Sequence, residues 1–181
     1  GVGHDLKWID ELYQSYTAIE LKTNEDSTDN QALISFLDTL NNNSLQSSED
    51  ESAFETLVDI DSVLRYLAVS TAIGNMDSYQ GSLAHNYYIY ENSNQFSVIP
   101  WDFNESFGTF SMGCTAEELQ TLYIDEPTSG ALADRPLIAS LMQNAEYLDR
   151  YHSHLSELIT NGLDPDTLEQ TINDTADLIR E

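Results

Sequence analysis

The sequence predicts an α+β fold that is predominantly helical, a bundle of helices with one β-hairpin set into it. Apolar residues recur at helical spacing along most of the chain, two short β-branched and aromatic runs flank a cluster of turn formers, and Pro and Gly cut the second half into helix-length pieces. At 181 residues and 40% hydrophobic content, the chain can bury one sizeable core and nothing in it demands two complete domains. It shows no internal repeat.

Leu6 to Leu21 mixes aromatic with polar residues, among them Trp8, Tyr13 and Tyr16, and reads as irregular, with a short strand around Ala18 to Lys22 and a polar stretch on to Asn30. From Gln31 to Leu40, the residues Leu33, Ile34, Phe36, Leu37 and Leu40 share a helical face, and Asp29 or Asn30 can cap the start. Asn41 to Ser52, rich in Asn, Ser and acid, reads as a surface loop before a single helical turn at Phe54 to Leu57. Asp61 then precedes Ser62 to Ile73, where Val63, Leu64, Tyr66, Leu67, Val69 and Ile73 leave little polar surface, so that helix is predicted to be buried. Asn86 to Glu91 and Gln95 to Ile99 are strand-like and meet at the turn formers Asn92, Ser93 and Asn94. Ala116 to Tyr123, Arg135 to Asn144, Ala145 to Asn161 and Pro165 to Arg180 follow as helices, separated by Pro127, Gly130, Pro136, Gly162 and Pro165.

Acidic residues number 32 against 6 basic ones, a formal charge of −26. Such a surface repels any polyanion that lacks a bridging cation, so nucleic acid and anionic membrane are poor partners and none is expected; it also keeps a protein dissolved in salty or extracellular surroundings without any specific ligand. No apolar run reaches the length needed to cross a bilayer. The first residues carry neither region of a secretion signal, and the abrupt start reads as an excerpt of a longer protein. One cysteine, Cys114, excludes an internal disulfide and every multi-Cys zinc site, and leaves the redox compartment open.

The stretch from Gly74 to Gly108, GNMDSYQGSLAHNYYIYENSNQFSVIPWDFNESFG, carries the chemistry. Asp77 lies in a loop after the buried helix, Asn86 opens the first strand and Asp102 follows the second, so a hairpin can bring the three together. Phosphoryl transfer asks a protein for a divalent metal clamped to phosphates and a carboxylate near the attacking hydroxyl. Mg²⁺ takes oxygen ligands and only one or two protein carboxylates, a demand that Asp102 with Asn86 meets, leaving Asp77 to accept the hydrogen bond of the substrate hydroxyl.

At these residues the chain resembles the CotH family of atypical, secreted or spore-coat protein kinases: GNMDSY, HNYYIY and VIPWDFNESFG are similar to the family signature, and the likeness extends to DIDSVLRYLAVSTAIGN and RPLIASLMQNAEYLDRYHSHL. The resemblance implies a kinase C-lobe-like helical bundle whose hairpin carries the metal-binding Asp. It implies ATP and Mg²⁺ as cofactors, Asp77 as the catalytic-loop acid, and Asp102 as the counterpart of the metal-binding Asp of ordinary kinases. The order Asp, His-Asn, Asp around a hairpin is also similar to HipA-type kinases and supports Asn86 as a metal ligand. Residues 1–181 then form part of such a domain, the later, catalytic-loop part: 1–30 an irregular leading segment, 31–73 helices, 74–110 the catalytic loop, hairpin and WDFN segment, and 111–181 a helical bundle. The implied substrate is Ser or Thr of a secreted, cell-surface or spore-coat protein, and the acidic surface suits a basic, Ser-rich one; no membrane insertion is expected, and the oligomeric state stays open. A noncatalytic kinase-like binding module, or an inactive fragment, is the alternative, because only Lys7 and Lys22 offer a lysine for nucleotide phosphates and neither sits in a Val-Ala-Ile-Lys strand. The nucleotide-binding residues stay unassigned.

Other features read blandly. Trp101, Phe103, Phe107 and Phe110 suggest a packed aromatic cluster around Asp102, and Gly108 a turn after it. His152 and His154, two apart on a helix, point to different sides and cannot share a metal; His85 can orient the loop. Asn24, Asp26 and Asp29 lack the Gly and Glu of a calcium loop. There is no Gly-x-x-x-x-Gly-Lys run, nucleophile elbow or Cys-His pair from which hydrolase chemistry could start.

Overall fold

A computed structural model describes residues 3–26, 29–42, 45, 47–112 and 115–180; Cys114 lies outside the described residues. The first helix, α1 (Gln31–Asn42), forms where the apolar spacing predicts it, with the Asp29 carboxylate accepting the Gln31 N–H at 3.0 Å. Helix α2 (Ser48–Leu57) is longer than the single turn predicted. The polar run Asn41 to Ser52 hides its start, because Ser47 caps it by accepting from the Asp50 N–H while Glu49, Asp50 and Glu51 fill the first turn, where acids favour the helix dipole. Helix α3 (Ile60–Ala72) begins two residues early, and its cap is Asp59, which accepts from the Ser62 N–H at 3.1 Å, rather than Asp61.

The hairpin pairs β1 (Tyr87–Asn92) with β2 (Gln95–Pro100) in antiparallel register, Tyr87 opposite Pro100 and Asn92 opposite Gln95. Ser93 and Asn94 form the two-residue turn, both with positive φ (57° and 66°), the pairing that matches strand twist. After β2 come α4 (Ala116–Leu119), α5 (Pro136–Met142), α6 (Ala145–Glu157) with a π-helical turn Leu158–Gly162, and α7 (Pro165–Arg180). Helix α4 is half the predicted length: Gln120, Thr121 and Tyr123, which were to form its second turn, are exposed and give that turn no buried face to pack. The strand expected at Ala18 to Lys22 does not form; among the described residues the sheet is the hairpin alone, so that segment has no ladder to join.

One core joins these pieces. Helix α3 packs on α6 and on β2, and buried Leu64 and Leu67 of α3, Tyr151 and Leu155 of α6 and Val98 of β2 belong to one apolar cluster. Phe36 of α1 stacks on Phe96 at 4.4 Å between ring centres, and the Asp59 N–H donates to the Phe96 carbonyl at 2.8 Å, so the hairpin is fixed to the helices on its inner face. Its outer face, with Tyr90 and Ile99, is exposed. Helix α7 buries none of its residues.

Asp61 ties α3 to α6. Its carboxylate accepts from Arg65 Nε at 2.7 Å, His154 Nε2 at 2.9 Å and Arg150 at 3.5 Å. The Arg65 hydrogen bond, ahead of the His154 one, holds the Asp61 carboxyl at about 2, below its ordinary value of 3.8. A lowered folded-state value means the stabilisation is fully present above the ordinary value and is lost as pH falls through about 2. We expect Asp61→Asn to be less stable than the parent near neutral pH by under about 1 kcal/mol, the scale of a solvent-exposed pair. Chemical denaturation in acid then shows the two stabilities converging towards pH 2; a gap that persisted there would contradict this account.

Candidate functional site

The loop between α3 and β1 is built on the end of the helix. Gly74 turns the chain at φ +59°, and the Asn75 N–H returns to the Ser70 carbonyl at 2.8 Å. Ser78 Oγ donates to the Asn75 carbonyl at 2.7 Å, folding residues 75–78 into a tight knot. Gly81 then passes so close to Met76 that a Cβ there would lie 1.6 Å from the Met76 carbonyl oxygen, so only glycine fits. The knot is held from outside by Arg135, whose buried guanidinium donates from Nε to the Tyr79 carbonyl at 2.7 Å, to the Gly81 carbonyl, and to its neighbour Asp134 at 2.7 Å. Tyr79 is fully buried, and its hydroxyl donates to the Asp5 carbonyl at 3.1 Å and accepts from the Leu137 N–H at 3.3 Å; burial pushes that phenol well up from its ordinary value. Gln80 spans to Thr71 Oγ1 (3.0 Å) and the Pro127 carbonyl (2.7 Å). The amide of Asn75 and the carbonyl oxygen of Gln80 are buried with no partner among the described residues, which suits ordered water.

On this loop sits Asp77, its side chain only 13% exposed. Asn86 Nδ2 donates both to the Asp77 carbonyl and to Oδ2, each at 2.9 Å, and His85 Nε2 contacts Oδ1. Neighbouring residues on a strand point to opposite faces. Here Ala84 and Asn86 take positive φ (45° and 53°) just before β1, and that break in alternation lets both His85 and Asn86 reach one carboxylate.

Asp102 follows β2 with φ 51°, ψ 69°, also in the left-handed region, and opens a 3₁₀ turn, Phe103–Glu105. Two backbone hydrogen bonds bracket its segment. The Trp101 N–H donates to the Asn86 carbonyl at 3.2 Å, and the Phe107 N–H donates to the Ile73 carbonyl at 2.6 Å. Asp102 is therefore pinned, at both ends, to the segment that carries Asp77. It is exposed and forms no hydrogen bond or ion pair with a described residue.

Of the residues singled out from sequence, Asp77 and Asn86 are in direct contact, and Asp102 is joined to them through the backbone. The expected aromatic packing around Asp102 is corrected: Trp101 is 56% and Phe107 69% exposed, because Trp101 leaves β2 on the hairpin's outer face, where its ring meets Tyr88 edge-on at 5.5 Å. Phe103 does pack against the core, and Gly108 does turn, at φ +75°. His152 and His154 part as expected, to Asp125 and Asp61. Lys7 is engaged with Asp134 at 2.7 Å and Lys22 with Glu20 at 2.9 Å, both at the surface. Among the described residues no three His, Cys, Asp or Glu side chains cluster as a metal cage. Arg135 and Gly81 were invisible as site residues, since their partners are backbone atoms, and Arg135 acts across 54 residues.

A protein-family model described as CotH kinase protein matches residues 3–181, wider at both ends than the motifs alone. No curated protein and no solved structure matches the chain. No helix among the described residues is long and apolar enough to cross a membrane.

The clamp makes a direct demand. In Arg135→Met the carbonyls of Tyr79 and Gly81 lose a buried, charged donor, and we expect a loss of about 2–4 kcal/mol, the scale of two such hydrogen bonds. Urea unfolding checks this as a lower midpoint at unchanged slope; an unshifted midpoint would show that the loop holds itself.

Proposed function

The chain belongs to the CotH kinase family, and on that premise we propose that it is the catalytic half of a protein kinase that moves the terminal phosphoryl group of ATP to Ser or Thr of a secreted, surface or spore-coat protein. The observation that supports this most is the double tethering of the Asp102 segment, to Asn86 and to Ile73, around an Asp77 carboxylate whose two oxygens are already oriented.

Asp77 accepts the proton of the acceptor hydroxyl as its oxygen bonds to phosphorus and the bond to the departing diphosphate breaks. Low exposure keeps the carboxylate away from bulk water, and its two protein contacts leave lone pairs for the incoming hydroxyl. The oxygens present suit Mg²⁺: Asp102 offers a carboxylate with no partner among the described residues, and Asn86, whose nitrogen is committed to Asp77, offers only its carbonyl oxygen. The metal, when bound, supplies charge neutralisation on the transferring phosphate.

One observation favours a second reading, a noncatalytic kinase-like binding module. All six Lys and Arg side chains already have protein partners, Arg135 on the carbonyls of the Asp77 loop itself, so none of them is offered to phosphates there. Calorimetry with Mg-ATP on the full-length protein separates the two: heat of binding supports the kinase, and its absence the binding module.

In the full-length protein we expect Asp77→Asn to lower phosphoryl transfer by about 100-fold or more, the usual scale for a lost general base. Asp102→Ala should abolish the response to added Mg²⁺. Transfer at the parental rate by either variant sinks the assignment. The 32 acidic residues also favour a basic, Ser-rich substrate, so association with such a peptide is expected to weaken steeply between low and physiological salt. Salt-independent association would count against that substrate.

A further inference from the structure

We propose that His85 is a positioning residue for Asp77, acting on the reaction through the carboxylate and adding little to the fold. The proposal rests on the phosphoryl-transfer reading above.

The geometry separates the two roles. The His85 side chain is 42% exposed and takes no part in the hydrophobic core. Its contact with Asp77 Oδ1 is the one hydrogen bond its ring makes among the described residues. A partly exposed contact of this kind contributes little to stability. Yet it decides where a catalytic oxygen sits. A carboxylate turns about a broad, two-fold torsion. Asn86 holds Oδ2 and the Asp77 backbone carbonyl, which leaves that torsion with one anchor on one side. His85 supplies the second, on the other oxygen. With about four lone-pair sites on a carboxylate, two are then used and one on each oxygen stays open for the acceptor hydroxyl.

Backbone conformation supports the assignment. Positive φ is uncommon for a residue with a side chain such as Ala84 and better tolerated by an Asn such as Asn86, and here it serves to aim two consecutive side chains at one carboxylate. For Nε2 to donate, it must carry the ring proton, so Nδ1 is the nitrogen left open. A Gln side chain places an amide N–H at similar reach and can replace that donor; Ala cannot.

Two measurements test this. In the full-length protein, His85→Ala should lower kcat by about 10- to 100-fold, the usual scale for losing a residue that orients a reacting group, with KM for ATP and for the acceptor peptide within about twofold and the melting temperature nearly unchanged. His85→Gln should recover most of the loss. A fall in kcat that tracks a collapse in melting temperature, or a Gln variant no better than Ala, overturns the proposal. Independently of activity, the ¹⁵N-labelled side-chain amide of Asn86 reports on Asp77. Its proton signals should move towards those of a free amide in His85→Ala and return in His85→Gln. If they stay put in His85→Ala, His85 does not position Asp77, whatever the kinetics. A parent protein that transfers no phosphate removes the kinase reading and leaves the Asn86 amide to decide this one.

Discussion

The guanidinium of Arg135 is the constraint on which the site depends. In a chain of charge −26 it is a buried cation that forms no ion pair with a carboxylate among the described residues, and it spends its donors on the carbonyls of Tyr79, Gly81 and Asp134 instead. A buried charge without compensation is expensive, so the arrangement persists only because carbonyl dipoles converge on it. The exchange is mutual. Residues 77–86 have no helix or strand of their own, and a buried backbone must find partners somewhere. Lysine could not substitute: one ammonium lacks the planar fork that reaches carbonyls two residues apart. The loop that carries Asp77 is thus shaped by a side chain 58 positions downstream in sequence, at the mouth of α5.

The hairpin is the second fixed point. Phe96 and Val98 alternate towards the core while Ser97 and Ile99 face away, so a slip of one residue would expose the Phe36–Phe96 stack and bury polar atoms. Register in turn sets which backbone groups lie at the open end, and it puts Trp101 against Asn86. The separation of Asp77 from Asp102 is therefore decided by packing at the opposite face of the strands. The geometry of the candidate site is inherited from apolar contacts that touch neither residue.

That division explains what the sequence could reveal. The hairpin, α1, α3 and α7 were legible because period and turn chemistry are local, and α7 matched from Pro165 to Arg180. Asp77, Asn86 and Asp102 could be picked out as polar residues flanking a hairpin, and the Asn86–Asp77 contact follows from that placement. Helix α2 was hidden by composition, since Ser, Glu and Asp are as common in loops as in a first helical turn. The exposure of Trp101 and Phe107 was missed because aromatic residues are read as core unless the face of the strand is known. Contacts between a side chain and a distant carbonyl, such as those of Arg135, leave no period in the sequence at all.

Electrostatics sets the remaining condition on any phosphate chemistry at this loop. Each of the six cationic side chains is committed: Lys7, Lys22, Arg65, Arg150 and Arg180 to carboxylates, and Arg135 to carbonyls. A polyanionic nucleotide approaching Asp77 and Asp102 therefore meets like charge from 32 acids and no uncommitted cation of this chain. On the phosphoryl-transfer reading, that repulsion has to be reversed by charge brought with the nucleotide, and Asp102, exposed and without a partner among the described residues, is the group left open to receive it. On that reading, the acidity that repels a bare polyphosphate would favour one that arrives with its metal.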